Sequence, residues 1–213
     1  MRVLLAMLMC VMPAWAVEQT AQAALPDHDT TISIGWTGAE HETRDQRRWH
    51  GSLLAGVNVG HYWTDHLKTE AEASWSSPRT HQIYENFERD GGYTYALSDY
   101  RAYDIRIGVA QLYQFGRNEW VHPYVGVGAD VVRRASSFER LPQSRTIFVQ
   151  NRNIPVAIPA ASERTTGVFA QAILKAGVKM YVSEKAFFNT ELKLGVRDDV
   201  DHVVWKFGMG VDF

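Results

Sequence analysis

The chain has 213 residues, a net charge of −2, 46% hydrophobic residues and 12% aromatic residues. That length fits one domain with a substantial core. The near-neutral charge, without a lysine-rich tail, offers no basic surface for nucleic acid, and none is expected as a partner.

The N-terminus reads as a processing segment. Arg2 supplies a short positive region, Val3 to Met12 are almost all apolar, and Pro13-Ala14-Trp15-Ala16 offers an Ala-x-Ala cleavage site. The apolar run is too short to cross a bilayer as a helix. Residues 1–16 are expected to be a secretory signal, with cleavage as late as 24 as an alternative. A short segment over 17–29 and a single domain over 30–213 would follow. Cys10 is the only cysteine and falls inside the signal, so the exported chain would have no disulfide. The residues before it, Met7-Leu8-Met9, lack the small residue expected next to a lipidated cysteine.

Beyond the signal no stretch approaches about 18 consecutive apolar residues, so no transmembrane helix is expected. Period-two alternation recurs instead, and it predicts eight strands. They run about Thr30 to Gly38, Gly51 to Trp63, Leu67 to Trp75 and Arg101 to Phe115, then Val121 to Arg134, Gly167 to Val182, Ala186 to Arg197 and Val203 to Phe213. In the third, Leu67, Thr69, Ala71, Ala73 and Trp75 oppose Lys68, Glu70, Glu72 and Ser74. In the last, Val203, Trp205, Phe207, Met209, Val211 and Phe213 oppose Val204, Lys206, Gly208, Gly210 and Asp212. A strand sends alternate side chains to opposite faces, so each strand has one greasy face and one small or charged face.

The connections alternate in length. Thr64-Asp65-His66, Gly116-Arg117-Asn118-Glu119 and Ser183-Glu184-Lys185 are tight turns, while Ser76–Tyr100 and Ala135–Thr166 are long. Short turns at one end and long loops at the other characterise outer-membrane barrels. Aromatic residues cluster at strand ends, where amphipathic rings suit the headgroup level. Tyr62, Trp63, Tyr113, Phe115, Trp120, Tyr181, Phe187 and Phe213 are expected at the periplasmic rim. Trp49, Trp75, Tyr100, Tyr103 and Trp205 are expected nearer the outer one.

The pattern, with the ending Gly208-Met209-Gly210-Val211-Asp212-Phe213, resembles the small outer-membrane β-barrel superfamily. That group includes the OmpA transmembrane domain, the opacity proteins and related porin-family barrels. The resemblance spans about Thr30 to Phe213 and rests on pattern, with no internal family motif matched. It implies an all-β, eight-stranded, antiparallel up-and-down transmembrane barrel in the outer membrane of a Gram-negative-type bacterium. It also implies that Trp205, Phe207, Met209, Val211 and Phe213 carry the signal for the outer-membrane assembly machinery.

Charged residues on the polar face would lie inside the barrel. These are Lys68, Glu70, Glu72, Asp104, Arg106, Asp130, Arg134, Lys175, Lys179, Glu191, Lys193, Lys206 and Asp212. An eight-stranded barrel has room inside only for its own side chains, so these charges are expected to pair. A narrow ion or solute path through them is the alternative.

A lipid A-modifying enzyme is the other rival. It would need a nucleophile and base facing lipid near the outer rim. His50 with Ser52 comes nearest, but neither His-x-Ser-Asn nor Gly-x-Ser-x-Gly is present. No catalytic residue, cofactor or metal site is therefore expected. Asp198-Asp199-Val200-Asp201-His202 could hold a divalent cation but reads more simply as a solvated acidic turn.

The long loop carries Arg140, Arg145, Arg152 and Arg164, whose guanidinium forks suit lipopolysaccharide phosphates. Pro142, Pro155 and Pro159 argue against regular structure there, although Ile147-Phe148-Val149 could extend the hairpin. The expected role is structural or interactive. It would take the form of membrane integrity, lipopolysaccharide contact, or adhesion to a surface ligand through 76–100 and 135–166, by a monomer.

Overall fold

The structure, a computed structural model, describes residues 27–43, 46–89, 91–115, 120–149, 152–197 and 200–213. The expected signal segment with Cys10, residues 116–119, and Asp198 and Asp199 lie outside the described residues. So do the side chains of Trp49, His50 and Asp201.

Among the described residues eleven strands form, all paired antiparallel. They are β1 (His28–Thr43), β2 (Gln46–Tyr62), β3 (Leu67–Ser76), β4 (Arg79–Arg89), β5 (Gly92–Gln114) and β6 (Val121–Arg140). Then come β7 (Gln143–Val149), β8 (Arg152–Ile158), β9 (Ala161–Tyr181), β10 (Ala186–Val196) and β11 (Val200–Asp212). Eight of them close a ring in the order β1-β2-β3-β5-β6-β9-β10-β11. These are the eight strands that the alternation predicts. The last strand closes on the first, with Asp29 opposite Asp212 and Ala39 opposite His202. The Phe213 N–H donates to His28 at 2.9 Å, so the closure runs to the final residue. A closed ring leaves no unpaired edge within the barrel.

β1 begins at His28, ahead of the expected Thr30, and so brings Asp29 into the lumen. β3 and β4 share one neighbour. β3 pairs with the lower part of β5 up to Ile105, and β4 pairs with its upper part from Ala102 to Gly92. Pro78, which has no N–H to give a ladder, falls in the break between them.

The two faces are inverted relative to a soluble barrel. Lys193 and Lys206 are 0% and 1% exposed, whereas Ile32 and Met209 are 71% and 63% exposed. The charged face is the inside and the greasy face is the outside. Soluble monomers rarely expose contiguous apolar patches beyond a few hundred Å². Here exposed Ile34, Leu53, Ile107, Val127, Val168 and Phe207 belong to six different strands of the ring. A lipocalin-like barrel, with its apolar face inward, is therefore ruled out. From Phe213 to Trp205 the outward face of β11 rises eight residues. At about 3.4 Å per residue and a tilt of about 40°, that spans ~21 Å, close to the ~25 Å apolar band of such barrels.

The aromatic rims are partly as expected. Trp63, Tyr113, Phe115, Trp120 and Phe213 stand exposed at the tight-turn end, and Trp75 and Trp205 at the loop end. Trp36 joins the second group, opposite Trp205 across the β1–β11 seam. Four expected rim residues turn inward instead. Phe187 and Tyr100 are buried, and the Tyr62 and Tyr181 hydroxyls donate to Asp29 and Asp212 inside the lumen. The parity of their own strands puts them there. Tyr62 shares a face with Asn58, and Tyr181 shares one with Lys179. Aromatic preference for the interface does not override the pleat.

Candidate functional site

The lumen holds a lattice of ion pairs stacked along its axis in two groups, a network centred on Glu72 and, at the loop end, a triad on Asp104. At the tight-turn end, Lys179 reaches Asp212 at 2.6 Å and Asp29 at 3.0 Å, and its ammonium lies 3.7 Å from the centre of the Phe187 ring. Lys68 joins Asp29 at 2.7 Å to Glu70 at 2.9 Å. One layer higher, Lys175 bridges Glu70 at 2.8 Å and Glu72 at 2.6 Å. Glu72 is the hub: it also meets Lys193 and Lys206, each at 3.0 Å. Lys193 continues to Asp130 at 3.0 Å, and Lys206 to Glu191 at 2.9 Å. The Tyr124 hydroxyl donates to Glu191 at 2.9 Å. At the loop end Asp104 holds both Arg106, at 2.6 Å, and Arg134, at 2.9 Å.

All the charges that the sequence assigns to the lumen are in this lattice, and Asp29 is added to them. The charges balance among the described residues. Asp29, Glu70, Glu72, Asp104, Asp130, Glu191 and Asp212 face Lys68, Arg106, Arg134, Lys175, Lys179, Lys193 and Lys206. A buried charge is tolerable only when paired, and here each has at least one ion-pair partner, although Arg106 Nε and Nη1 and Asp130 Oδ1 make no hydrogen bond among the described residues. The glycines of the inner face make the lattice fit. A Cβ at Gly108 would overlap the Asp130 carboxylate, and one at Gly177 would overlap the Tyr124 ring.

Among the described residues one partly open recess lies around Tyr124, Phe187 and Lys179. Another lies at the loop end between Tyr100, Ser52, Ser76 and Arg106. They share no lining residue. By strand order, Glu72, Lys193 and Asp130 lie between them.

Ser52 lines the upper recess, and so faces the lumen and not lipid. That geometry is wrong for attack on a membrane acyl chain, and the His50–Ser52 pairing has no support from it. His202 is likewise turned inward, buried against Thr37 at 2.7 Å. Among the described residues no cluster of three or more His, Cys, Asp or Glu side chains could hold a metal ion.

Above the apolar band the long segments fold. β4 and the upper halves of β5, β6 and β9 continue the barrel wall, and β7 and β8 form a hairpin of their own. The expectation of irregular structure across 135–166 is therefore overturned. Pro155 fits because it stands opposite Thr146 in a two-stranded ribbon, where one edge carries no ladder. The hairpin packs Ile147, Val156 and Ile158 onto Ala96, with Phe87 beside them. Ala96 shares the face of β5 that continues down to Asp104 and Arg106, so the hairpin covers the lumen side of the wall. Gln143 fixes its base by exchanging two hydrogen bonds with the Leu97 backbone.

Two of the four loop arginines are consumed in building this head. Arg140 is buried, ion-paired to Glu85, bonded to the Pro159 carbonyl at 3.0 Å and laid over the Phe87 ring. It is not available to lipopolysaccharide, and that expectation is corrected. Arg145 is half-buried over the Tyr95 ring and bonded to Gln143. Arg152 is exposed at the hairpin turn, and Arg164 is exposed on β9. The outward face of the head carries Tyr84 and Tyr95 in edge-to-face contact at 5.4 Å, with exposed Tyr93 beside them. Phe148 projects from the hairpin.

The model of one family, described as the outer membrane protein beta-barrel domain, matches residues 3–213. A search of curated proteins returns no match. Among solved structures, Neisserial surface protein A is similar at 11% identity with a TM-score of 0.50, covering 87% of this chain and 96% of that one. OprG from Pseudomonas aeruginosa is similar at 13% identity and 0.49, covering 89% and 97%. Ail, the attachment invasion locus protein of Yersinia pestis, is similar at 15% identity and 0.47, covering 88% and 99%. At such identities the likeness concerns the fold alone. The match to the family model is another matter, since it runs over nearly the whole chain: the protein belongs to the outer membrane protein beta-barrel domain family, whose place is the bacterial outer membrane.

Proposed function

We propose that this protein is a closed, non-enzymatic barrel that presents a folded head at the cell surface, where it braces the membrane and engages a surface partner. The observation that carries this reading is a contrast between the two ends of one wall. Inside the membrane the lumen is filled by the lattice centred on Glu72. Outside it, the segments 76–100 and 135–166 build a head with its own apolar core. Ordering such a head costs conformational entropy, which a mere connection between strands would not need. Its exposed Tyr84, Tyr93, Tyr95 and Phe148 are of the aromatic kind enriched in protein interfaces. Export through the leader over 1–16 and insertion through the C-terminal strand complete the proposal.

The test is to replace residues 144–157 by a short glycine-containing turn and to display both forms on cells. Adhesion to an epithelial or matrix-coated surface should be seen with the intact chain and lost with the shortened one. Heat-modifiable gel mobility, which reports the barrel, should be unchanged. Equal adhesion by the two forms would overturn the role of the head. Release of a fatty acid from lipid A, read by mass spectrometry, would overturn the non-enzymatic reading.

A further inference from the structure

The outer wall just above the apolar band carries an unusual grid. Arg101 of β5, Ser137 of β6 and Arg164 of β9 stand side by side in register. The next row down is Tyr103, Ala135 and Thr166, and the row below it is Ile105, Arg133 and Val168. All nine share the outward face, the one that carries Ile107, Val131 and Leu174 lower on the same strands. The three arginines are exposed, and none takes part in an ion pair among the described residues.

The spacing makes a cradle. Strands lie about 4.8 Å apart, which puts the backbones of Arg101 and Arg164 ~10 Å apart with Ser137 between them. Arg133 stands four residues below, ~13 Å along the strand. Small Ala135 and Ser137 form the floor, and Tyr103 and Thr166 stand on either side of Ala135. Arg133 borders directly on Ile105 and Val168, so this positive cluster begins where the lipid-facing surface ends. Among the described residues of this face no acid stands in these three rows. The acids of this face, Asp99 and Glu139, lie one row further out.

We propose that Arg101, Arg133 and Arg164 bind the phosphorylated sugar headgroup of lipid A in the outer leaflet. Guanidinium groups pair with phosphate through charge-assisted hydrogen bonds, and the apolar wall below receives the acyl chains of the same molecule. The height of the cluster selects a lipid that carries its phosphates on a bulky headgroup at the rim. This site lies on the barrel wall, apart from the hairpin, and does not depend on what the head binds.

The folded full chain is incorporated into nanodiscs with a trace of lipid A, and retention of the lipid is followed by native mass spectrometry. The unsubstituted chain should retain bisphosphorylated lipid A at least tenfold better than its enzymatically dephosphorylated form. Substituting R101Q, R133Q and R164Q together should remove that preference. Arg→Lys at all three positions should restore part of it, and deleting residues 144–157 should leave it intact. The dephosphorylation comparison uses the unsubstituted protein, so it decides the matter even if a variant folds poorly. Equal retention of the two forms of lipid A, or equal retention of phosphatidylglycerol, would overturn the proposal.

Discussion

Glu72→Gln is the sharpest perturbation of the lattice, because one carboxylate serves three ammonium groups. Lys175, Lys193 and Lys206 lie 2.6, 3.0 and 3.0 Å from it. The amide keeps the shape and removes the charge. Each lysine keeps another partner: Lys175 has Glu70, Lys193 has Asp130 and Lys206 has Glu191. The loss is therefore below the sum of three broken pairs. Removing one member of a buried pair costs about 3–5 kcal/mol, because the other charge stays buried. With three partly compensated lysines, about 4 kcal/mol is expected for Glu72→Gln. The assay is reversible urea unfolding in detergent micelles or thin bilayers, read by tryptophan fluorescence. The midpoint should fall with little change in slope. The double variant Glu72→Gln/Lys206→Met should recover part of the loss, since it restores the balance of buried charge and leaves Glu191 paired with Lys175. A change below ~1 kcal/mol for Glu72→Gln would refute the idea that the pairs are dry and mutually dependent.

On the lipid face, Val109→Arg, midway between Ile105 and Tyr113 on β5, should destabilise the folded barrel by about 2–4 kcal/mol in bilayers, the cost of a cation near mid-membrane; unfolding of the variant in vesicles measures it. In the head, Ile147→Ala should cost about 2–4 kcal/mol of local packing. It should raise protease cleavage within 141–160 while the heat-modifiable band stays in place, and a loss of both would mean that head and barrel are not separable. Truncation of Phe213 should lower the outer-membrane yield of folded protein several-fold in cells and alter refolding into detergent far less. Equal losses in the two settings would assign Phe213 to barrel stability instead of assembly.

Where the pleat alone decides, the sequence was legible. Lys193 and Lys206 alternate with Leu192, Leu194, Trp205 and Phe207, and no other assignment of faces keeps both charges out of lipid. Partner identity was not legible. Glu72 meets lysines more than a hundred residues away, a consequence of strand tilt and stagger that alternation does not encode. Trp36 was missed because its strand mixes glycine and threonine with few large residues. The head was hidden for a different reason. Above the membrane both faces of a strand can be polar, so Arg79–Arg89 lacks the greasy alternation that marks a lipid-crossing segment. The prolines around β7 and β8 read as breakers, yet Pro142 and Pro159 flank the strands and Pro155 occupies a ribbon edge. Arg140 was recognised as a cation but not as half of a pair with Glu85, which lies 55 residues earlier.

The central claim is that the lumen is closed and that the work of this protein is done on its outside. Single-channel recording of the folded, full-length chain in planar bilayers tests it most directly. No current steps above the lipid background are expected at moderate voltage for the unsubstituted chain. Discrete, reproducible steps, abolished when the chain is unfolded before addition, would contradict that claim and would make the lattice around Glu72 the wall of a conducting path.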